Sequence, residues 1–182
     1  TSAMTASPNR HAAMIPPSPW VVGHLPLIAA GGRVLDLACG AGRHARLLAA
    51  AGYEVVAVDR DFAAISALRG APGITALQLD LEGCDWPLAG ERFAGVIVAN
   101  YLWRPRLPEI CALPGERGVL IYETFMVGNE AHGKPSNPEF LLRPGELRAV
   151  AKAAGLREIA FTEGYVERPK PALRQAICAV RE

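Results

Sequence analysis

Short apolar runs alternate with helical stretches from residue 34 to the C-terminus, and that alternation limits what the chain can become more than any other feature. Residues 34–38, 54–58, 74–79, 93–99 and 118–123 are mostly apolar and too short for buried helices, so they read as strands. The stretches 42–51, 61–68, 105–113 and 143–154 read as helices, the second opened by Asp61 as its N-cap. Near-continuous apolar strands joined through helices imply parallel strands covered on both faces, hence an α/β, doubly wound, mostly parallel sheet. The last two strands, 157–162 and 172–180, have only a turn containing glycine and proline between them. They should pair as a C-terminal antiparallel hairpin at one edge, bringing the sheet to seven strands. Ahead of the first strand, Ser18-Pro19 has the form of a cap followed by proline at the first helical position, opening a short helix to about Ile28. Its Trp20, Val21, His24 and Leu27 could share one face. The expected organisation is a loose arm over 1–16 and one domain over 17–182.

The chemistry concentrates at the first strand-to-helix turn, Val34-Leu35-Asp36-Leu37-Ala38-Cys39-Gly40-Ala41-Gly42. Glycines there let the backbone approach a ligand, and amides at a helix start attract negative charge. Read as Gly40-x-Gly42-x-x-Ala45, the turn matches a dinucleotide fingerprint, with Asp59 where ribose hydroxyls would be gripped. Asp36 separates the readings. A carboxylate four residues before Gly40 repels a pyrophosphate and suits an ammonium group, so the ligand should carry an amine. A local role for Asp36, with Asp59 and Asp80 merely ending strands, is the bland alternative, and a nicotinamide dinucleotide stays open on the glycines alone.

These residues resemble the first motif of the class I S-adenosylmethionine-dependent methyltransferases, an acidic residue in strand one followed by a glycine-rich turn. Ala38 stands where the family commonly has its first glycine. The resemblance runs from about Arg33 to Val180 and implies a Rossmann-like sheet with S-adenosyl-L-methionine as cofactor. It implies that Asp36 orients the methionine moiety, that Ala38, Gly40 and Gly42 let the chain pass close to the cofactor, and that Asp59, followed by Arg60, binds the ribose. Asp80 would meet the adenine amino group, with Leu81 alongside the ring and Asn100 completing the cofactor side. The Tyr-Leu-Trp-Arg-Pro and Glu-Thr-Phe-Met-Val-Gly-Asn-Glu segments are similar to small bacterial methyltransferases, including the tellurite-resistance and thiol-directed group.

Methyl transfer is an in-line displacement that needs alignment and exclusion of water more than covalent chemistry. In this fold the reacting methyl points toward the ends of strands four and five, which makes Tyr101, Trp103, Arg104 and Glu123 candidates on the substrate side. Asn100-Tyr101 lacks the two prolines of the Asn-Pro-Pro-Tyr run found in amino-group methyltransferases, so that specificity does not transfer. Residues 126–142 show no periodicity, and a loop of that length is commonly a binding loop or lid. It adds Glu130 and His132, with Arg143 just beyond. Tyr101, Glu123 and His132 are the catalytic candidates. His44 is expected to be an exposed helix residue. A soft acceptor such as a thiolate or chalcogen oxyanion needs little help from a base.

Nineteen Lys plus Arg against 18 Asp plus Glu leave a charge of +1, with no general field for a phosphate backbone and no basic run beyond 168–171. The expected acceptor is therefore a small molecule, with neither nucleic acid nor membrane as partner. No apolar run approaches the ~20 residues that span a bilayer, which points to a cytoplasmic protein. Cys39, Cys84, Cys111 and Cys178 are scattered, form no metal-ligand array, and read as reduced and mostly buried. A cofactor-binding module without catalysis of its own stays open beside the enzyme reading.

Overall fold

The computed structural model describes residues 15–182, so the arm expected over 1–16 lies almost wholly outside the described residues. Seven strands form one sheet: β1 (Arg33–Leu37), β2 (Glu54–Asp59), β3 (Ile74–Gln78), β4 (Phe93–Ala99), β5 (Pro114–Phe125), β6 (Leu156–Val166) and β7 (Ala172–Arg181). Their spatial order is β3-β2-β1-β4-β5-β7-β6. The first five are parallel, and β7 runs antiparallel to both β5 and β6. β7 therefore enters the sheet inside its hairpin partner and leaves β6 as the edge. Burial explains the choice: β7 is buried from Gln175 to Ala179, whereas β6 is largely exposed.

Five helices cover the sheet: α1 (Pro19–His24), α2 (Arg43–Ala50), α3 (Phe62–Leu68), α4 (Leu107–Cys111) and α5 (Glu146–Ala153). Side chains alternate across the pleat. Val34, Val55, Ala57 and Ile97 face one side and pack with Val21, Leu48, Ile65 and Leu68 of α1 to α3. Leu35, Leu37, Val56 and Val98 face the other and pack with Leu107, Ile110, Leu147 and Ala151 of α4 and α5. No helix joins β3 to β4; Leu88 and Trp86 of the connecting loop fill that part of the second face.

Three expected elements change shape for local reasons. After α1 the chain tightens into a 3-10 turn over Leu25–Leu27, so Leu25 and Ile28, three residues apart, are buried while Leu27 is exposed. The helix expected from residue 105 starts at Leu107, behind a 3-10 turn at Arg104–Arg106. The helix expected from 143 starts at Glu146, because Pro144 and a left-handed Gly145 precede it.

The crossovers from β1 and from β4 leave in opposite directions along the sheet. A crevice must open at the carboxyl ends of those two strands. Backbone bonds beyond the strand limits, Cys39 N–H to Val58 O and Asn100 N–H to Glu123 O, bring the ends of β1, β2, β4 and β5 level.

A cofactor cleft at the strand ends

The turn after β1 passes through three left-handed residues, Ala38 (φ 56°), Gly40 (φ 53°) and Gly42 (φ 84°). Ala38 adopts the backbone that glycine takes freely, which is the physical content of an alanine in a glycine position. A side chain on Gly40 would meet nothing within 4 Å, so this glycine leaves open space above the turn. Its N–H donates to Asp59 Oδ2 at 2.9 Å, while Asp59 Oδ1 accepts from Asp61 N–H at 2.8 Å. Asp61 caps α3 through Ala63 N–H at 2.9 Å, as its sequence position suggests.

Gly42 behaves differently. A Cβ there would lie 2.6 Å from Leu68 Cδ2. Close packing of the start of α2 on α3 and a left-handed backbone both call for glycine at 42, independently of any ligand.

Asp36 is 2% exposed, and its Oδ2 has no hydrogen-bond partner. Burial pushes the carboxyl up from 3.8 to about 7, against the pull of the Ala45 amide and the Arg43 guanidinium. His44 is also buried, contrary to expectation. Its Nε2 accepts from Ser18 N–H at 3.0 Å, and burial holds it down at about 4. Helix α2 is covered on that side by the segment entering α1, a contact between distant stretches that periodicity within α2 does not reveal.

Above the strand ends lies a cleft of about 700 Å³. Ala38, Asp59 and Arg60 form its wall at β1 and β2, and Leu79, Leu81 and Glu82 its wall beyond β3. Asp80 is exposed between the last three, with Oδ1 accepting from Glu82 N–H at 2.9 Å. Asn100, Tyr101 and Trp103 line it after β4, and Thr124 and Phe125 at the end of β5. Asn100 is left-handed (φ 58°). Tyr122 Oη donates to Tyr101 O at 2.7 Å and fixes the next peptide.

The substrate-side candidates divide. Trp103 is on the cleft wall, whereas Glu123, 9% exposed, lies beneath it and faces Arg174 at 3.6 Å. Arg174 donates to Asn100 Oδ1 at 2.7 Å and sits 4.6 Å from the centre of the Phe125 ring. Sequence reasoning missed Arg174. Its only signal was a basic residue at the inner end of a strand that is otherwise mostly apolar. Arg104 is turned away from the cleft, held by Glu146 through Nε (2.6 Å) and Nη2 (2.9 Å) and by Leu141 O at 2.8 Å. It clamps the end of the long loop to α5. Arg143 is exposed at the start of that helix, Glu130 accepts from Gly128 N–H, and His132 is exposed against the Tyr165 ring.

Residues 126–142 are anchored at both ends: Met126 N–H bonds Leu173 O, Leu142 N–H bonds Phe125 O, and the buried Asn129 ties Pro135 O to Leu173 N–H. Between these anchors the loop is mostly exposed, and it presents Pro135 and Phe140 to the cleft. Among the described residues no cluster of His, Cys, Asp and Glu is arranged to hold a metal, and no helix is long and apolar enough to cross a membrane. All four cysteines are free, three buried and Cys84 exposed.

Sheet order, switch-point cleft, glycine turn and acids at successive strand ends together define a Rossmann-like, doubly wound α/β domain with a ligand cleft at its switch point. Residues 34–113 match the family model of a methyltransferase domain. The chain is 30% identical over 152 residues to a tRNA U34 carboxymethyltransferase of Methylococcus capsulatus, an alignment covering 71% of this chain and 46% of that protein. TehB of Haemophilus influenzae superposes with a TM-score of 0.73 at 20% identity, over 89% of this chain and 61% of its own. An S-adenosylmethionine-dependent methyltransferase of Archaeoglobus fulgidus gives 0.68 at 17% identity, over 88% and 91%. The chain thus spans about half the length of the curated relative it matches. The methyltransferase-domain match over residues 34–113 and a fold shared with S-adenosylmethionine-dependent methyltransferases support S-adenosylmethionine as the cofactor. An orphaned buried carboxylate next to an open glycine turn fits a ligand that brings an ammonium group, as this cofactor does.

Proposed function

We propose that this chain transfers a methyl group from S-adenosylmethionine to a small, soft nucleophile such as a thiolate or a chalcogen oxyanion. The observation that carries the cofactor half is Asp36 Oδ2, buried without a partner behind the glycine turn. Asp36 holds the ammonium of the methionine moiety, Ala38 and Gly40 line its path, and Asp59 accepts from the ribose hydroxyls with the lone pairs its two backbone partners leave free. Asp80 and Leu81 take the adenine, and Arg60 and Asn100 flank the two ends of the nucleoside. The cofactor supplies an electrophilic sulfonium methyl.

The side chains beyond it orient the acceptor and exclude water: Trp103, Phe125 and Phe140 form an apolar wall, with the Thr124 hydroxyl as its polar point. Glu123 acts through Arg174 and Asn100 rather than by touching the acceptor. His132 packs against Tyr165 and is not among the residues that line the cleft, which favours an acceptor already nucleophilic at neutral pH. Four free cysteines accord with a reducing, cytoplasmic setting. A second reading is methylation of RNA, favoured by the similarity to a tRNA-modifying enzyme.

The test follows release of S-adenosylhomocysteine over thiols, chalcogen oxyanions, amines, carboxylates and bulk tRNA. Turnover with the first two supports the proposal, turnover with tRNA alone replaces it, and tight cofactor binding with no turnover on any class favours a non-catalytic module. Asp59→Ala should weaken S-adenosylhomocysteine binding tenfold or more, since charge-assisted hydroxyl contacts are worth ~1.5 to 3 kcal/mol each.

A further inference from the structure

Asn100 lines the cleft between the glycine turn after β1 and the Thr124 and Phe125 end of β5, because β4 lies between those strands in the sheet. Its amide has two edges of opposite chemistry, an oxygen that accepts hydrogen bonds and a nitrogen that donates two. Which edge meets the cleft is decided from behind the wall. Arg174 Nη2 lies 2.7 Å from Asn100 Oδ1, and a guanidinium only donates, so the atom facing it must be the oxygen.

The arginine doing this is itself held. It stands opposite Phe125 in the register of β5 and β7, 4.6 Å from the centre of that ring, and its side chain is 16% exposed. Glu123 Oε1, from the same pair of strands, is 3.6 Å from Nη2. The backbone of Asn100 is pinned as well, by its N–H to Glu123 O. Among the described residues the bond from Arg174 is the only one its side chain makes, so both Nδ2 hydrogens stay available on an exposed residue of the cleft.

We infer that Arg174 is a positioning residue for the acceptor: it fixes the Asn100 amide with its N–H donors toward the cleft, so that the site selects acceptors with spare lone pairs, thiolates and chalcogen oxyanions, against amines. Charge running from Glu123 through Arg174 to Oδ1 polarises the amide in the donating sense. An anion accepts from Nδ2 with one lone pair while another attacks. A neutral amine has a single lone pair, which the attack uses, and its N–H groups would meet the N–H groups of Asn100. The attacking pair forms the bond to the methyl carbon, the carbon–sulfur bond breaks with its pair returning to sulfur, and an anionic acceptor has no proton to shed. The inference rests on methyl transfer in this cleft and adds what sets the polarity of the acceptor side; Asn100, at one end of the nucleoside, thereby faces the acceptor too.

Kinetics of the intact chain with S-adenosylmethionine test it, with selenite and mercaptoethanol as probes. Asn100→Asp keeps an oxygen for Arg174 and replaces the donors by an acceptor, and Asn100→Gly removes the amide where the left-handed backbone (φ 58°) suits glycine. The first should raise the KM for whichever probe is turned over by about a hundredfold and the second by about tenfold, the loss of a charge-assisted hydrogen bond with and without repulsion. Both losses should exceed any loss of S-adenosylhomocysteine affinity. Arg174→Lys still donates to Oδ1 and should stay within about threefold of the wild-type KM, whereas Arg174→Met with Glu123→Gln, which strands no buried charge, should raise it about tenfold. An arginine needed only for folding would leave the KM of the folded variants alone. Unchanged KM in Asn100→Asp, or a loss no larger than that for S-adenosylhomocysteine, would overturn the assignment while methyl transfer to the probe stands. Turnover of amines or tRNA alone, or of no acceptor, would instead sink the acceptor reading itself, and this inference with it.

Discussion

Replacing Asp36 by Asn should stabilise the cofactor-free protein at alkaline pH and leave it little changed at acid pH. Burial raises the Asp36 carboxyl from 3.8 to about 7, so the native state binds a proton across that interval that the unfolded chain has released. Stability attributable to this group is intact below pH 3.8, declines as pH rises, and levels off above the folded value. At about 1.4 kcal/mol per pH unit the full penalty is about 4 kcal/mol, and the part that develops between pH 5 and pH 8 is about 3 kcal/mol. His44 acts in the opposite sense. Held at about 4 against 6.5, it withdraws stability as pH falls from 6.5, so the two groups partly mask each other in the wild type. Comparison with the Asn variant removes this masking, because the His44 contribution is common to both proteins. Urea denaturation followed by circular dichroism at pH 5 and pH 8, at fixed ionic strength and without cofactor, measures the difference. The variant should gain about 3 kcal/mol on the wild type from the first pH to the second, and bind S-adenosylhomocysteine worse at both. A difference that stays constant with pH, or grows in the other direction, would refute a neutral buried carboxyl waiting for an ammonium group.

Ala38→Gly should raise the unfolding free energy by ~0.5 to 1 kcal/mol, read as a higher urea midpoint at unchanged slope, because the left-handed backbone strains alanine and not glycine; a lower midpoint would contradict this. Gly42→Ala should lose 2 kcal/mol or more by roughly the usual scale for overpacking plus backbone strain, and Leu68→Ala in the same chain should restore part of the loss, where simple additivity would argue against the contact. Arg104→Ala should expose residues 126–142 to limited proteolysis while β1 to β4 keep their hydrogen-exchange protection, and Arg104→Lys should not rescue it because an ammonium cannot reproduce the two-pronged bond to Glu146. Equal cleavage of wild type and both variants would show that the clamp does not hold the loop.

Much of the architecture was legible because it follows from periodicity. Short apolar strands separated by amphipathic stretches leave a parallel sheet covered on both faces as the economical way to bury them, and the Asp61 cap and the Ser18-Pro19 start are local chemistry that the neighbouring residues complete. The acid before the glycine turn was equally readable, since a carboxyl there disfavours a pyrophosphate, while its protonation is set by what buries it. Gly42 and His44 were not readable. Whether a glycine makes room for a ligand or for a leucine depends on where Leu68 arrives, and whether a helix residue is exposed depends on what covers the helix, here Ser18.

Long-range contacts decided the substrate side. Tyr101, Trp103, Arg104, Glu123 and Arg174 come from three separate strand ends and their loops, so no spacing within one segment sets which of them share a wall. Arg104 leaves the cleft because Glu146 stands within reach, and Arg174 reaches Asn100 and Phe125 behind its wall because β7, with its buried run, is drawn inside β6. The sequence by itself determined the layers, the glycine turn and the charge beneath it, since these depend on neighbours along the chain. Tertiary structure alone decided which polar atoms were left without partners, because the surroundings of Asp36 Oδ2 and Tyr101 Oη are residues of other segments of the chain, Arg43, Ala45 and Asp59 for the first and Arg60, Asp80, Glu82 and Arg106 for the second.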